Sequence, residues 1–289
     1  MSFTEDFGSG GFAIDLGETT EVIGRFHRKL MDGRSIDWDA FELERYDEEL
    51  REQARREWAT RAVAEYYSTS QFSQLTHRLC RAGAPVELIG ASTRLATDEC
   101  RHAELCARVA DLFGGRDDFE VEHEPLSKYD DLEDRWLAIA MTILELCCFG
   151  ETISVPILRG MQVVSNDVVI ERVAEIIASD EGYHMNFGWE ALEWLVPRLD
   201  DEQRAAMRDA LPELFANFEH VCGGGPDVLE ELAGYELVVE EDTEPNPAVL
   251  TQKQYAGMFY HCVDQELMPR LNALGFDATS AWAERFGGS

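Results

Sequence analysis

Apolar residues along this chain recur mostly at helical intervals. Between positions 58 and 79 they fall at Trp58, Ala62, Tyr66, Phe72, Leu75 and Leu79, a spacing that lines one face of a helix. That face belongs to a charged, helix-favouring stretch over about 39–82, stopped by Ala82-Gly83-Ala84-Pro85. A second helix is predicted over 85–113, closed by Gly114-Gly115, and residues 115–130 form an acidic connector containing Pro125. A third helix is expected over 132–161, where Pro156 should kink or interrupt it. A fourth spans 167–194 and stops near Pro197. Asp200 is a suitable N-cap for a fifth helix through 220, and a last helix covers 251–274. A short helix is predicted over 20–31 inside an irregular, Gly-rich N-terminal segment. Gly223-Gly224-Gly225-Pro226 and the acidic run to Pro247 read as loop, with a short helix or strand inside. No period-two alternation is long enough to build a sheet. The pattern therefore predicts an all-α protein of one domain. Residues 1–37 are an irregular lead-in, 38–200 a four-helix bundle, and 201–289 a C-terminal helical extension packed on it.

Composition narrows the classes of function. Of the 289 residues, 45% are apolar and 28% charged, as in globular proteins. The formal charge of −32 repels phosphate backbones and anionic lipid, which excludes nucleic-acid and membrane-surface partners. In so acidic a chain most carboxylates are solvated surface, and a buried one must be picked out by its neighbours. No basic stretch followed by an apolar segment marks a signal peptide at the N-terminus. The most apolar run, 137–158, contains Glu145, Glu151 and Pro156, so it reads as core rather than as a membrane span. Seven cysteines, an odd number, read as reduced thiols in a cytoplasmic protein.

Two short stretches carry the candidate chemistry: Asp98-Glu99-Cys100-Arg101-His102 and Asp180-Glu181-Gly182-Tyr183-His184. Each sets a Glu and a His three residues apart, on the same side of a helix, with an Asp directly before the Glu. Glu-x-x-His alone is weak, because Glu120-Val121-Glu122-His123 in the connector fits it as well. The two favoured copies lie in long apolar helices. Each also has a lone Glu on an apolar helix upstream, Glu65 before Glu99 by 34 residues and Glu151 before Glu181 by 30. Such a spacing returns the chain to the same height in an antiparallel hairpin. Glu145 is the rival to Glu151, but six residues of α-helix place it about 240° away. The predicted metal ligands are thus Glu65, Glu99, His102, Glu151, Glu181 and His184. Carboxylates can bridge or chelate cations, and imidazole nitrogen suits iron better than an all-oxygen calcium or magnesium site. A metal-bound His usually donates its other N–H to a carboxylate, so Asp98 is expected to serve His184, and Asp180 to serve His102.

With these residues in view, the chain resembles the ferritin-like di-iron carboxylate superfamily. Asp98-Glu99-Cys100-Arg101-His102 is similar to the Asp-Glu-x-Arg-His signature of bacterial multicomponent monooxygenases, and the Glu-x-x-His core is shared with ribonucleotide reductase small subunits. The resemblance covers about 55–195. It implies a ferritin-like bundle with additional N- and C-terminal helices and two iron ions on the six ligands, manganese being the alternative metal. Cys106 stands where the reductase subunits carry a radical-forming Tyr, which disfavours a stable tyrosyl radical. Ile177 stands where the p-aminobenzoate N-oxygenase group adds a third His, and the chain runs on well past the bundle, unlike a storage ferritin subunit.

The resulting expectation is an O2-activating non-heme di-iron oxygenase or oxidase acting on a small organic molecule by hydroxylation, N-oxygenation or oxidative C–C cleavage. No catalytic residue is singled out beyond the ligands. The alternatives are a ferroxidase or iron-handling protein, a di-manganese catalase, and a structural bundle that is empty or holds adventitious zinc. A substrate pocket is expected one turn from the ligands, at Phe72, Leu95, Cys106, Cys147, Cys148 and Phe187, while Tyr66, Tyr67 and Tyr183 are read as packing. The chain has no flavin fingerprint or phosphate loop, so electrons would come from a separate reductase or ferredoxin. Bundles of this kind often dimerise, and a homodimer is compatible with the pattern.

Overall fold

The computed structural model describes residues 11–17, 19–31, 34–116, 118–123, 126, 128–232, 237, 239 and 244–287. Pro125 of the predicted connector lies outside them. The protein is all-α, and no strand occurs among the described residues; Phe12 and Val121 form only an isolated antiparallel bridge. The chain divides into two compact units, Met1–Thr76 with Ser92–Lys128, and His77–Ala91 with Tyr129–Ser289.

Helix α1 (Glu21–Arg28) starts at Thr20, whose hydroxyl accepts from the Ile23 amide. Helix α2 (Glu48–Ala82) begins nine residues later than the composition suggests. The reason is a cap: the Asp47 carboxylate accepts from the Leu50 amide at 2.9 Å, and the chain before it makes two 3-10 turns, Trp38–Ala40 and Leu43–Arg45. Its other end closes on Gly83 at φ +68°, with the Ala84 amide on the Leu79 carbonyl and the Gly83 amide on Cys80. That pattern requires a left-handed residue just past the helix. Helix α3 (Val86–Leu112) follows and ends at Gly114 and Gly115, both at positive φ.

Within the first unit the two helices retrace one another. Thr76 and Ser92 meet hydroxyl to hydroxyl at 2.9 Å, and eleven residues back along α2 Glu65 approaches His102, ten residues on along α3. Arg55 donates to Glu52, to Asp118 and to the Gly115 carbonyl, tying α2 to the loop after α3. Phe41 stacks on Tyr46, and Phe113 meets both rings edge-on.

The second unit contains the remaining helices: α4 (Arg135–Thr142), α5 (Thr152–Val164), α6 (Val168–Leu195), α7 (Asp201–Phe218), α8 (Pro226–Glu231), α9 (Gln252–Cys262), α10 (Met268–Ala273) and α11 (Ala278–Glu284). Between α4 and α5 the chain stays helical but widens into a π-wound stretch, Ile143–Glu151. Pro156 does not break α5. Proline has no N–H to give the carbonyl four residues back, and Cys262 of α9 donates to that Thr152 carbonyl instead, at 3.2 Å. The run Arg135–Val164 is long and apolar enough to cross a membrane, yet 78% of its most apolar window is buried inside the protein, as in a core helix.

Helix α6 is capped by Asp167, whose carboxylate accepts from the Val169 and Ile170 amides, and α7 by the Asp200–Gln203 capping box. Trp189 of α6 donates to Thr152 of α5 at 3.0 Å. The predicted last helix is α9, a π turn Val263–Leu267 and α10 in one run. Helix α11 lacks any long periodic signal. It is held by tertiary contacts: Arg285 pairs with the fully buried Glu219, which also accepts from the Tyr260 hydroxyl at 2.8 Å, and Trp282 packs on Phe215.

Close approach of α6 to the π stretch depends on Gly188. A Cβ there would lie 2.4 Å from the Cys147 Cβ and 3.0 Å from its carbonyl carbon, and backbone cannot swing aside as a flexible side chain can. Gly188→Ala is therefore expected to destabilise the fold by about 1–3 kcal/mol in urea unfolding; an unchanged midpoint would show that the helices do not abut there. The thiols make a second test. Cys80 is exposed, whereas Cys106, Cys147, Cys148 and Cys262 are buried. Burial, with Glu266 beside it, pushes the Cys262 thiol up to about 12, so its thiolate appears only as pH approaches that value. Alkylation at pH 8 followed by peptide mapping should label Cys80 promptly and spare those four until the chain unfolds.

Candidate metal centre

The hairpin of α2 and α3 gathers three of the predicted ligands. The His102 Nδ1 lies 3.7 Å from a Glu65 oxygen and 3.7 Å from a Glu99 oxygen. In the second unit, the π stretch and α6 gather the other three. The His184 Nδ1 lies 2.8 Å from Glu181 and 3.7 Å from Glu151. In each triad the ligand atoms fall within 4.8 Å of one another. Two donors each about 2.1 Å from one ion would stand roughly 3.0–3.6 Å apart for angles near 90–120°, which is close to these separations.

Burial makes the donor set informative. Glu99 is 1% exposed, Glu181 2%, Glu65 6% and Glu151 7%, and both histidines are fully buried. Carboxylates crowded together away from water are costly unless a cation or strong hydrogen bonds compensate them. Arg61, one turn before Glu65, reaches it only at 3.9 Å. The cation two residues after Glu99 points elsewhere: Arg101 gives both terminal nitrogens to Asp98 at 2.9 Å and its Nε to the Leu30 carbonyl. A buried set of two carboxylates and one imidazole per triad fits a metal ion, and these buried Glu/His groups could hold one.

Both imidazoles turn Nδ1 toward the carboxylates. A neutral His binding through Nδ1 carries its proton on Nε2, which then needs an acceptor. Asp98 and Asp180 are both buried and ionisable. Asp98 is fixed by Arg101 on one side and by Arg94, at 3.1 Å, on the other. The Arg of the sequence signature thus has a concrete task that the sequence reading left unassigned: it orients Asp98 and grips the chain after α1. Its position three residues after Asp98 was the available signal.

Glu145 does not join the triad of the second unit. Its carboxylate accepts from the Tyr129 hydroxyl at 2.6 Å, and burial together with that carboxylate raises the phenol well above its usual range. The angular argument against Glu145 assumed α-helical winding and does not hold in the π-wound stretch; the Tyr129 bond is what engages it. The sequence carried no mark of the π winding, whose residues look like those of any apolar helix, although such stretches frequently occur at functional sites. His123 of the connector packs at a tilt against Phe12, 5.1 Å between ring centres, and belongs to neither triad.

The residues expected to line a substrate pocket, Phe72, Leu95, Cys106, Cys147, Cys148 and Phe187, are all buried. None of them lines the cavity beside Trp136 and Trp194 or the cavity beside α5 and α9. Cys147 is occupied by its contact with Gly188. Of the tyrosines, Tyr66 packs edge-on against Phe12 and the Tyr67 hydroxyl accepts from the Glu122 amide, in line with packing roles.

No family model, curated protein or solved structure matches this chain. The site's own chemistry therefore carries the assignment of ligands. Replacing Glu99 or Glu181 by Ala should abolish stoichiometric metal binding in elemental analysis, whereas His123→Ala should leave it unchanged. Full metal content in either Glu variant would refute the ligand set, and metal loss in the His123 variant would show that the connector pair holds the ion.

Proposed function

We propose that the two triads, Glu65–Glu99–His102 and Glu151–Glu181–His184, each hold one iron ion, as in a ferritin-like four-helix bundle, and that the protein is an O2-activating non-heme di-iron oxygenase or oxidase. What supports this reading above all is the repetition: two hairpins, each burying two carboxylates and presenting a histidine Nδ1 to them. A lone structural ion needs only one such set.

When bound, a di-iron centre supplies two-electron reduction of O2. The chain's part is to hold the ligands, exclude water and position protons. Buried apolar residues around the triads, among them Leu95, Cys106 and Cys148, keep water out. Asp98 and Asp180 are the carboxylates proposed to accept the Nε2 protons of the ligand histidines, which keeps both imidazoles in the tautomer that frees Nδ1. Arg101 and Arg94 hold the Asp98 carboxylate in place for this role. The substrate is a small organic molecule. Electrons come from a separate reductase or ferredoxin. The cysteines, none of them in a disulfide among the described residues, fit a reducing compartment such as the cytoplasm.

The test is anaerobic loading with Fe(II) followed by rapid mixing with O2. Uptake of two irons per chain and a transient visible absorption whose decay is accelerated by candidate substrates is the expected outcome. Direct formation of ferric mineral would reassign the protein to iron storage, and peroxide disproportionation by the manganese form would make it a catalase.

A further inference from the structure

The second unit contains a cavity of about 480 Å³ between α5, α9, the π turn after α9, and residues 237 and 239. Its walls are apolar: Val155, Pro156, Val163, Leu237, Val239 and Met258. Gly160 leaves the space into which the Met258 methyl reaches, since a Cβ there would stand 2.3 Å from it. The volume lies in the range of small-molecule sites.

The charge of its rim runs against the rest of the chain. Acidic residues outnumber Lys and Arg by 57 to 25 overall, yet this cavity is bordered by Arg159, Arg270 and His261 against one acid, Glu266. Arg159 forms no ion pair with a described residue, which is unexpected where carboxylates are so abundant. Arg270 meets Glu266 through Nε at 2.9 Å and lies over the Trp189 ring, and neither contact uses its two terminal nitrogens. Two guanidinium groups over an apolar hollow are suited to a planar anion with an apolar body.

We infer that this cavity is a binding site for a small amphipathic carboxylate, its apolar body against Val155, Val163, Leu237 and Met258 and its carboxylate between Arg159 and Arg270. The site does not rest on the metal reading, because none of its residues is a ligand. Its floor is nevertheless Thr152, next to Glu151, and Met185, next to His184. An occupant would therefore press on the backbone that carries one of the two proposed iron-binding triads.

The proposal is tested by calorimetric titration of the full chain as purified, with decanoate as probe and with decanol and inorganic phosphate as controls. Decanoate should bind at one site, and each control at least about tenfold more weakly, since each lacks either the charge or the apolar body. Arg159→Gln should weaken decanoate about five- to tenfold, the scale of one charge-assisted hydrogen bond in a partly exposed setting. Arg270→Gln should weaken it further, but that change also removes the Glu266 and Trp189 contacts, so the exposed Arg159 decides. Decanol as tight as decanoate, phosphate as tight as decanoate, or an unchanged Kd in Arg159→Gln would each overturn the assignment. Iron binding that survives in Arg159→Gln separates failure here from failure of the metal centre.

Discussion

Buried like charge is the constraint on which the rest of the structure depends. Four glutamates and two histidines are removed from water in two compact groups, and each carboxylate so placed demands compensation. The helices that carry them are long, well capped and closely packed because the ligand atoms must be brought within a few ångströms without help from flexible loops. Asp47, Asp167 and Asp200 start three of the helices, and Gly83 ends the first of these. These local devices decide where each helix begins and ends, and through that which turn of one helix faces which turn of the next.

The second unit shows how departures from ideal winding serve the same end. The π stretch Ile143–Glu151 delivers Glu151 to the height of His184, Gly188 lets that stretch close on α6, and Cys262 takes up the carbonyl that Pro156 leaves without its amide. The same Thr152 whose carbonyl is so rescued receives the Trp189 indole on its hydroxyl. Residue 152 thus joins α5, α6 and α9, one position from a proposed ligand and at the floor of the cationic cavity. The proposed metal centre and the proposed carboxylate site share a wall.

The C-terminal residues, for which the sequence offered no role, have one in packing. Glu219, Tyr260 and Arg285 form a buried charged cluster that anchors α11 across α7 and α9, with Trp282 filling the space between Phe215 and Phe259. Such a cluster fixes how elements dock more than it adds to stability, because desolvation offsets much of the attraction. It also holds α9 and α10 where Met258, His261 and Arg270 can border the cavity.

Helical periodicity, capping residues and the 34- and 30-residue spacings were sufficient to identify the all-α class, most helix limits and the six residues that form the triads. Those features are local, or depend only on helix rise, and so are written in the order of residues. The tertiary structure decided what depends on contacts between distant elements. It wound 143–151 as a π-helix, gave Glu145 to Tyr129 and Arg101 to Asp98, and buried the expected pocket residues. It also assembled a cationic cavity from four separate segments. No residue in those segments differs from an ordinary helix surface or loop until packing brings Arg159 and Arg270 to the same rim.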